Sequence, residues 1–566
     1  MNPSLCLFFG SLCFAMTAFA TSTDSALPHL RSGQLIVDGQ PFIARAGELS
    51  NSSGEPDYLR SAWPKLRALN LNTVLAPVYW NIVEPEEGRF DFATVDGLIA
   101  DARANGMRLV LLWFGSWKNS MSSYVPAWVK RDTARFPRVL DSAGRAHEIL
   151  SPFIPANAEA DTRAFAALMR HLRENDREHT VIMVQVENEI GMISEPRDYR
   201  PEADRAFSEP VPAALMAYLR ERAASHSLAP ELFEVWTASG TRDPRMDGTW
   251  AEVFGGGVEA EEVFMAWHFS RYTEQVAAAG SAELALPLYT NAALIRPGYQ
   301  PGQYPSGGPL PHLFDVWRAG APSLSFLAPD IYFQNFTYWA RAYTRGGNAL
   351  FIPEALRSNE AAVNALYAFG EHAAIGFSPF AIESTPEPAA SYLAASYDLI
   401  RQLTPLLASA RVQEGPRRSA GFLKESEEAK QPSQVRLGKW IIHVNFEHSP
   451  PPSLADGLAV VVGADNSAFG GQGGASSPLA PAGGLAIALG EDEFLFAGIG
   501  LTLTFSLAER GGWQAGLLDV AEGCFDEHGE WLHRRWLNGD QTHQGRHVRL
   551  EPGHFSIQRV RLYRYR

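Results

Sequence analysis

The stretch Val181-Ile182-Met183-Val184-Gln185-Val186-Glu187-Asn188-Glu189 decides the reading of this chain. Its apolar part has the composition of a strand buried on both faces, as in a parallel sheet. It stops abruptly at a carboxamide flanked by two carboxylates. In (β/α) barrels the chemistry sits where strands end. A second run, Ala349-Leu350-Phe351-Ile352-Pro353-Glu354, also closes on a glutamate. Two strands that each deliver a carboxyl group to one rim supply what acid-assisted cleavage of a glycosidic bond requires.

Working outward, apolar strands alternate with amphipathic helical stretches from about residue 34 to 405. The strand candidates are 42–46, 73–79, 108–114, 181–186, 286–291, 325–331, 350–353 and 374–377. Between them, Val95, Leu98, Ile99 and Ala102 share one helical face, as do Phe165, Leu168, Met169 and Leu172, and later Tyr392, Leu393, Ser396, Leu399, Ile400 and Leu403. Eight alternating units define an α/β class chain, a (β/α)8 TIM barrel with inserted loops. Segment 231–239 is read as a helix end rather than a strand, because Leu232, Val235 and Trp236 follow helical spacing and Gly240 can cap it. That places Glu189 after strand four and Glu354 after strand seven. The aromatic loop 295–312 is expected to wall the site.

After Thr404-Pro405 the pattern changes to strand-like runs at 434–446, 458–462, 484–488, 494–507, 513–518 and 554–565, with a Gly-, Ser-, Ala- and Pro-rich stretch over 465–484. This predicts an all-β domain, a sandwich or jelly roll. The expected division is a signal peptide over 1–20, a catalytic barrel over 21–410 and a β-rich domain over 411–566.

Composition narrows the function. The chain has 566 residues, 46% hydrophobic and 20% charged, as in globular enzymes rather than disordered chains. A net charge of −15 disfavours nucleic acid or an anionic membrane surface as partner; a neutral sugar fits better. Residues 5–19 form an apolar stretch and Ala18-Phe19-Ala20 an A-x-A cleavage site, although no Lys or Arg precedes them. Of three cysteines, Cys6 and Cys13 fall in that segment, so the mature chain keeps only Cys524 and no internal disulfide. Export without disulfides suits a bacterial periplasmic or secreted protein. The 15 histidines form no tight ligand pair, and there is neither a Gly-x-Ser-x-Gly elbow nor a phosphate-binding glycine loop. No metal and no cofactor is expected.

Glycoside cleavage needs one carboxyl group to protonate the departing oxygen and another to attack the anomeric carbon or activate water. Glu189 is the natural acid/base, its proton held by burial and a carboxylate neighbour. Glu354 is then the nucleophile. Asn188 can bond the sugar 2-hydroxyl. Glu187 shares the direction of Glu189 under period-two alternation, to hold a hydroxyl or a salt bridge. At the strand-three rim, Trp113 and Trp117 can stack on a sugar while Lys118 and Asn119 clasp hydroxyls, or the loop packs on its own aromatics. Tyr79 either bonds a hydroxyl or packs in the core. Tyr332 can hydrogen-bond the nucleophile, with Asp330 as a structural strand-end residue the alternative. Glu48 is a possible ligand, Glu84 fixes its loop, and Glu383 is open.

The segment Tyr79-Trp80-Asn81-Ile82-Val83-Glu84-Pro85-Glu86-Glu87-Gly88-Arg89-Phe90-Asp91-Phe92, taken with Gln185-Val186-Glu187-Asn188-Glu189-Ile190-Gly191, resembles family-35 glycoside hydrolases, the exo-acting β-galactosidases. The resemblance runs over about residues 35–405 and is nearest a bacterial branch with a C-terminal β-rich domain. It implies a retaining enzyme with Glu189 as proton donor and Glu354 as nucleophile, acting without a cofactor on oligosaccharides or polysaccharides that end in β-galactose, such as galactosylated xyloglucan. Departures at Ile190, Pro353-Glu354-Ala355 and Trp113-Phe114-Gly115-Ser116-Trp117-Lys118-Asn119 set strict galactose selectivity apart from the rest of the resemblance. Two rivals stand beside it: another glycosidase of the same clan (β-glucosidase, β-mannosidase or endo-glucanase) and a non-catalytic sugar-binding barrel. Oligomeric state is not legible.

Overall fold

The computed structural model describes residues 27–238, 247–411, 417–425, 434–446, 481–509 and 511–566. The expected signal segment, the 458–462 strand and most of the 465–484 stretch lie outside the described residues.

Eight parallel strands close into a barrel. In chain order they are strand one Ala44–Glu48, two Thr73–Tyr79, three Arg108–Lys118, four Val181–Asn188, five Leu288–Ala293, six Phe326–Ile331, seven Phe351–Ala355 and eight Gly376–Pro379. Strand eight closes on strand one through Gly376–Ala44 and Phe377–Arg45 pairs. Every expected strand is present, but strands three and four run further than expected. Backbone pairing continues past the last apolar residue, and Lys118 pairs with Asn188 beyond a register shift that loops out 114–117.

The helices bury the predicted faces. Val95, Leu98, Ile99 and Ala102 are the buried residues of Ala93–Ala104, and Phe165, Leu168, Met169 and Leu172 lie on the buried side of Pro155–Asn175. Each such aliphatic or aromatic side chain contributes about 1.5–3 kcal/mol of transfer free energy. Within segment 231–239 the described residues are helical, as part of Pro230–Ala238, and the expected cap at Gly240 lies outside the described residues. The last helix, Ala389–Arg411, continues through Pro405 rather than stopping there.

Short strands went unforeseen, among them Arg138–Leu140, which pairs with Ala146–Leu150. His29–Arg31, Gln34–Val37 and Gln40–Phe42 form a small antiparallel sheet. Its Leu35 and Val37 cluster with interior barrel residues Ala44, Leu75 and Phe351, so this sheet stops the barrel at the end where the strands begin.

Beyond the barrel, a six-stranded and a four-stranded antiparallel sheet face each other. Trp440, Ile442, Phe494, Phe496, Leu503, Val520 and Val560 fill the space between them, as expected of a sandwich. The six-stranded sheet also turns Leu485, Leu495, Ala497 and Ile557 toward the barrel's own core. Gly370 on helix Ala361–His372 permits this docking, because a β-carbon there would lie 2.6 Å from Leu485 Cβ and 2.7 Å from the Ala420 carbonyl oxygen.

Candidate active site

Strands four, six and seven end on one rim, and each contributes a buried carboxyl group. One oxygen from each of Glu189, Asp330 and Glu354 lies within 4.8 Å of the others. This is the separation at which one carboxyl group can attack a sugar carbon while another protonates the leaving oxygen, about 5 Å.

The carboxyl groups of this rim are held by amides and a phenol. Tyr332 donates from its hydroxyl to Glu354 Oε2 at 2.6 Å. Asn188 Nδ2 donates to Glu354 Oε1 at 3.2 Å, while Asn188 Oδ1 accepts from Lys118 Nζ at 2.8 Å. Asn119 Nδ2 donates to Glu189 Oε2. Glu354 therefore accepts from neutral donors at both carboxyl oxygens.

Burial first, and then the charge of Glu354, push the Glu189 carboxyl up to about 7, against the opposing pull of Lys118, Asp330 and Asn119. Burial and the neighbouring Glu354 and Glu189 likewise hold Asp330 well above the ordinary carboxyl range. Three carboxyl groups this close in a dry site cannot all be charged, so protons are stored there. The same three oxygens form a donor set for a hard cation. Here N–H and O–H hydrogens from Asn119, Asn188, Asn291 and Tyr332 already point at the carboxyl groups, and a cation would have to displace them.

Asn291, at the end of strand five, was not singled out from the sequence. Its Oδ1 accepts the backbone N–H of Glu189 at 3.0 Å, and its Nδ2 donates to Asp330 Oδ2 at 2.7 Å and to Glu354 Oε1 at 3.4 Å. It thus links all three carboxyl residues. The signal was available: Tyr289-Thr290-Asn291 is another strand that turns from apolar to amide at its end.

Several expected contacts are corrected. Glu187 does not face the site with Glu189. Both residues adopt the left-handed backbone region, with φ of 61° and 46°, which breaks the alternation on which the expectation rested and costs about 1–3 kcal/mol each. Glu187 turns behind the rim, where Oε2 accepts the Trp117 backbone N–H at 2.7 Å. Trp113 and Trp117 are fully buried and cannot offer a face to a sugar. Trp113 Nε1 donates to Asp161 Oδ1 at 2.8 Å, and Trp117 packs edge-on against Phe269 and Tyr272. The loop of strand three packs on its own aromatics; at the rim Asn119 donates to Glu189 directly, and Lys118 acts through Asn188.

Tyr79 is committed elsewhere. Its hydroxyl donates to the Asn51 carbonyl at 2.7 Å and accepts from Gly54 N–H at 3.1 Å. Glu383 accepts from Ser53 Oγ at 2.8 Å and from the Ser50 N–H, so it braces the loop after strand one. Glu84 accepts from Trp80 Nε1 at 2.8 Å and Gly88 N–H at 2.7 Å, fixing its loop as expected. Glu48 is fully buried with no hydrogen-bond partner at either oxygen. Burial, then the charge of Glu354, keep its carboxyl well above the usual range.

Loop 295–312 folds back on the strand-four exit, where Met192 and Ser306 exchange backbone hydrogen bonds of 2.8 Å. Gly191 makes the approach possible, since a β-carbon there would lie 2.4 Å from the Pro305 carbonyl carbon.

A closed (β/α)8 barrel with two such carboxyl groups after strands four and seven has the layout of a barrel glycosidase. Sequence comparison with known proteins points the same way. Residues 34–231 match the family described as glycosyl hydrolases family 35, the family the sequence resembles. Residues 393–549 match a domain of unknown function, DUF5597. A β-galactosidase of Xanthomonas manihotis is 29% identical over 202 residues, 33% of this chain and 31% of that protein. A human protein named beta-galactosidase-1-like protein 3 is 28% identical over 193 residues, 33% of this chain and 27% of that protein. The chain therefore spans less than a third of the length of these curated relatives. Among solved structures, a β-galactosidase from the psychrophilic Marinomonas ef1 is similar with a TM-score of 0.46 and 12% identity, over 67% of this chain and 62% of that one. The family match contains Glu189 but ends before Glu354, so the second carboxyl residue rests on geometry alone.

Proposed function

We propose that the protein is a retaining exo-β-galactosidase that removes terminal, non-reducing β-D-galactosyl residues from oligosaccharides. The carrying observation is the approach of Glu189 and Glu354 oxygens to within 4.8 Å at the ends of strands four and seven. Similarity to proteins named β-galactosidases supports the choice of sugar.

Glu354 attacks the anomeric carbon while Glu189 gives its proton to the departing glycosidic oxygen. A covalent glycosyl-enzyme and a free alcohol result. Glu189, now a carboxylate, takes a proton from water as the water attacks the same carbon and Glu354 departs. Asn188 faces Glu354 and is placed to bond the sugar 2-hydroxyl, a contact that strengthens as the oxocarbenium character develops. Every proton and bond is accounted for by these side chains and water. Galactosylated plant cell-wall oligosaccharides such as those of xyloglucan are the proposed substrates, and the apolar run and A-x-A site at the N-terminus support action outside the bacterial cytoplasm.

The test is stereochemical. With an activated aryl galactoside and azide, Glu354→Gly should yield the α-galactosyl azide and Glu189→Gly the β-azide. Both variants giving one anomer would overturn the roles. A wild type that prefers aryl glucosides or mannosides would overturn the substrate.

A further inference from the structure

Behind the catalytic rim lies a second pair of carboxyl groups that the reaction does not use. Asp161, on helix Pro155–Asn175, and Glu187 are both fully buried. A β-carbon placed on Gly115 would lie 2.6 Å from Glu187 Oε1 and 2.8 Å from Asp161 Oδ1. The two oxygens therefore border one point, a point only glycine leaves free. Burial first, and then the charge of Asp161, hold the Glu187 carboxyl well above the ordinary carboxyl range.

The partners reveal where the proton sits. Asp161 accepts at both oxygens: Oδ1 from Trp113 Nε1 at 2.8 Å, Oδ2 from Ser116 N–H at 3.0 Å and from the Tyr272 hydroxyl at 3.3 Å. Glu187 accepts at Oε2 from Trp117 N–H at 2.7 Å. Its Oε1 has no donor aimed at it. Two charged carboxylates bordering one point in a buried site would cost several kcal/mol; one proton between them removes that cost.

We propose that Glu187 keeps its proton and donates it from Oε1 to Asp161, and that this acid pair is the positioning device of the active site. It grips the main chain at Ser116 and Trp117 from below. The next two residues are Lys118, which orients Asn188, and Asn119, which donates to Glu189. Glu187 and Asp161 are positioning residues: they touch no substrate and act through the strand-three loop. The inference rests on Glu189 being the proton donor. Retention by the wild type tests that reading on its own, whereas the infrared measurement below needs no turnover.

The two partners are not interchangeable, and this gives the test. In Glu187→Gln an amide N–H replaces the O–H and the amide oxygen still accepts from Trp117. Turnover should stay within about threefold of wild type. Asp161→Asn presents N–H to groups that themselves donate, so it should lower kcat by roughly tenfold or more and move the alkaline limb of the pH profile upward, because Asn119 no longer favours ionised Glu189. Glu187→Ala should do the same. A purely structural role would change stability without moving that limb. In infrared difference spectra, wild type minus Glu187→Gln, a protonated carboxyl stretch should persist at pH 8. The proposal is overturned if Glu187→Gln fails to fold or is as impaired as Glu187→Ala, if Asp161→Asn is as active as wild type, or if the difference spectrum shows a carboxylate instead.

Discussion

The Tyr332 hydroxyl donates a 2.6 Å hydrogen bond to Glu354 Oε2, joining the end of strand six to the end of strand seven. A bond to a charged acceptor contributes about 1.5–3 kcal/mol. Tyr332→Phe should therefore lower kcat/KM roughly 10- to 100-fold. Because only the hydroxyl is lost, the loss of thermal stability should not exceed what that bond contributes, about 1.5–3 kcal/mol. Steady-state kinetics with an aryl galactoside, beside a melting curve, checks both halves.

Asn291 holds the backbone of Glu189 and the side chains of Asp330 and Glu354 together. Asn291→Ala should reduce kcat by about 100-fold or more, through lost orientation and unsatisfied buried carboxyl groups. A variant that retains wild-type kcat would remove Asn291 from the account.

In its proposed role as acid Glu189 must be protonated, and burial with the neighbouring Glu354 charge pushes its carboxyl up to about 7. The profile of kcat/KM should be high below that pH and fall above it. Glu354→Gln removes the second of these causes, so the Glu189 pKa should drop. Carbon-13 NMR of labelled glutamate, with Glu189→Gln as the assignment control, measures the shift. An unchanged titration contradicts the coupling.

Gly191→Ala would put a methyl 2.4 Å from the Pro305 carbonyl carbon, and main chain cannot yield cheaply. Destabilisation of about 1–3 kcal/mol is expected, with a raised KM as loop 295–312 lifts from the rim. Denaturation and saturation curves measure these two effects.

The barrel was legible because parallel strands buried on both faces leave unbroken apolar runs: residues 73–79 are read from sequence and form strand two without change. The antiparallel sheet at His29–Arg31, Gln34–Val37 and Gln40–Phe42 escaped notice, since its strands have only three or four residues and no periodicity can be judged over so few. Glu189, Glu354, Asn188, Lys118, Asn119 and Tyr332 do converge. Glu187 could not be placed correctly from alternation, because the left-handed backbone at Glu187 and Glu189 reverses a side chain without leaving a mark in the sequence. Trp113 and Trp117 misled for a different reason: indoles suit sugar faces and cores equally, and only partners distant in the chain decide, Asp161 for Trp113 and Phe269 with Tyr272 for Trp117.

The most direct measurement of the central claim is to trap the intermediate with a 2-deoxy-2-fluoro-β-galactosyl donor and locate the label by peptide mass spectrometry. The account predicts one galactosyl adduct, on the peptide containing Glu354, on that residue. A label on Glu189 or another side chain, or turnover that inverts configuration with no adduct at all, would contradict it.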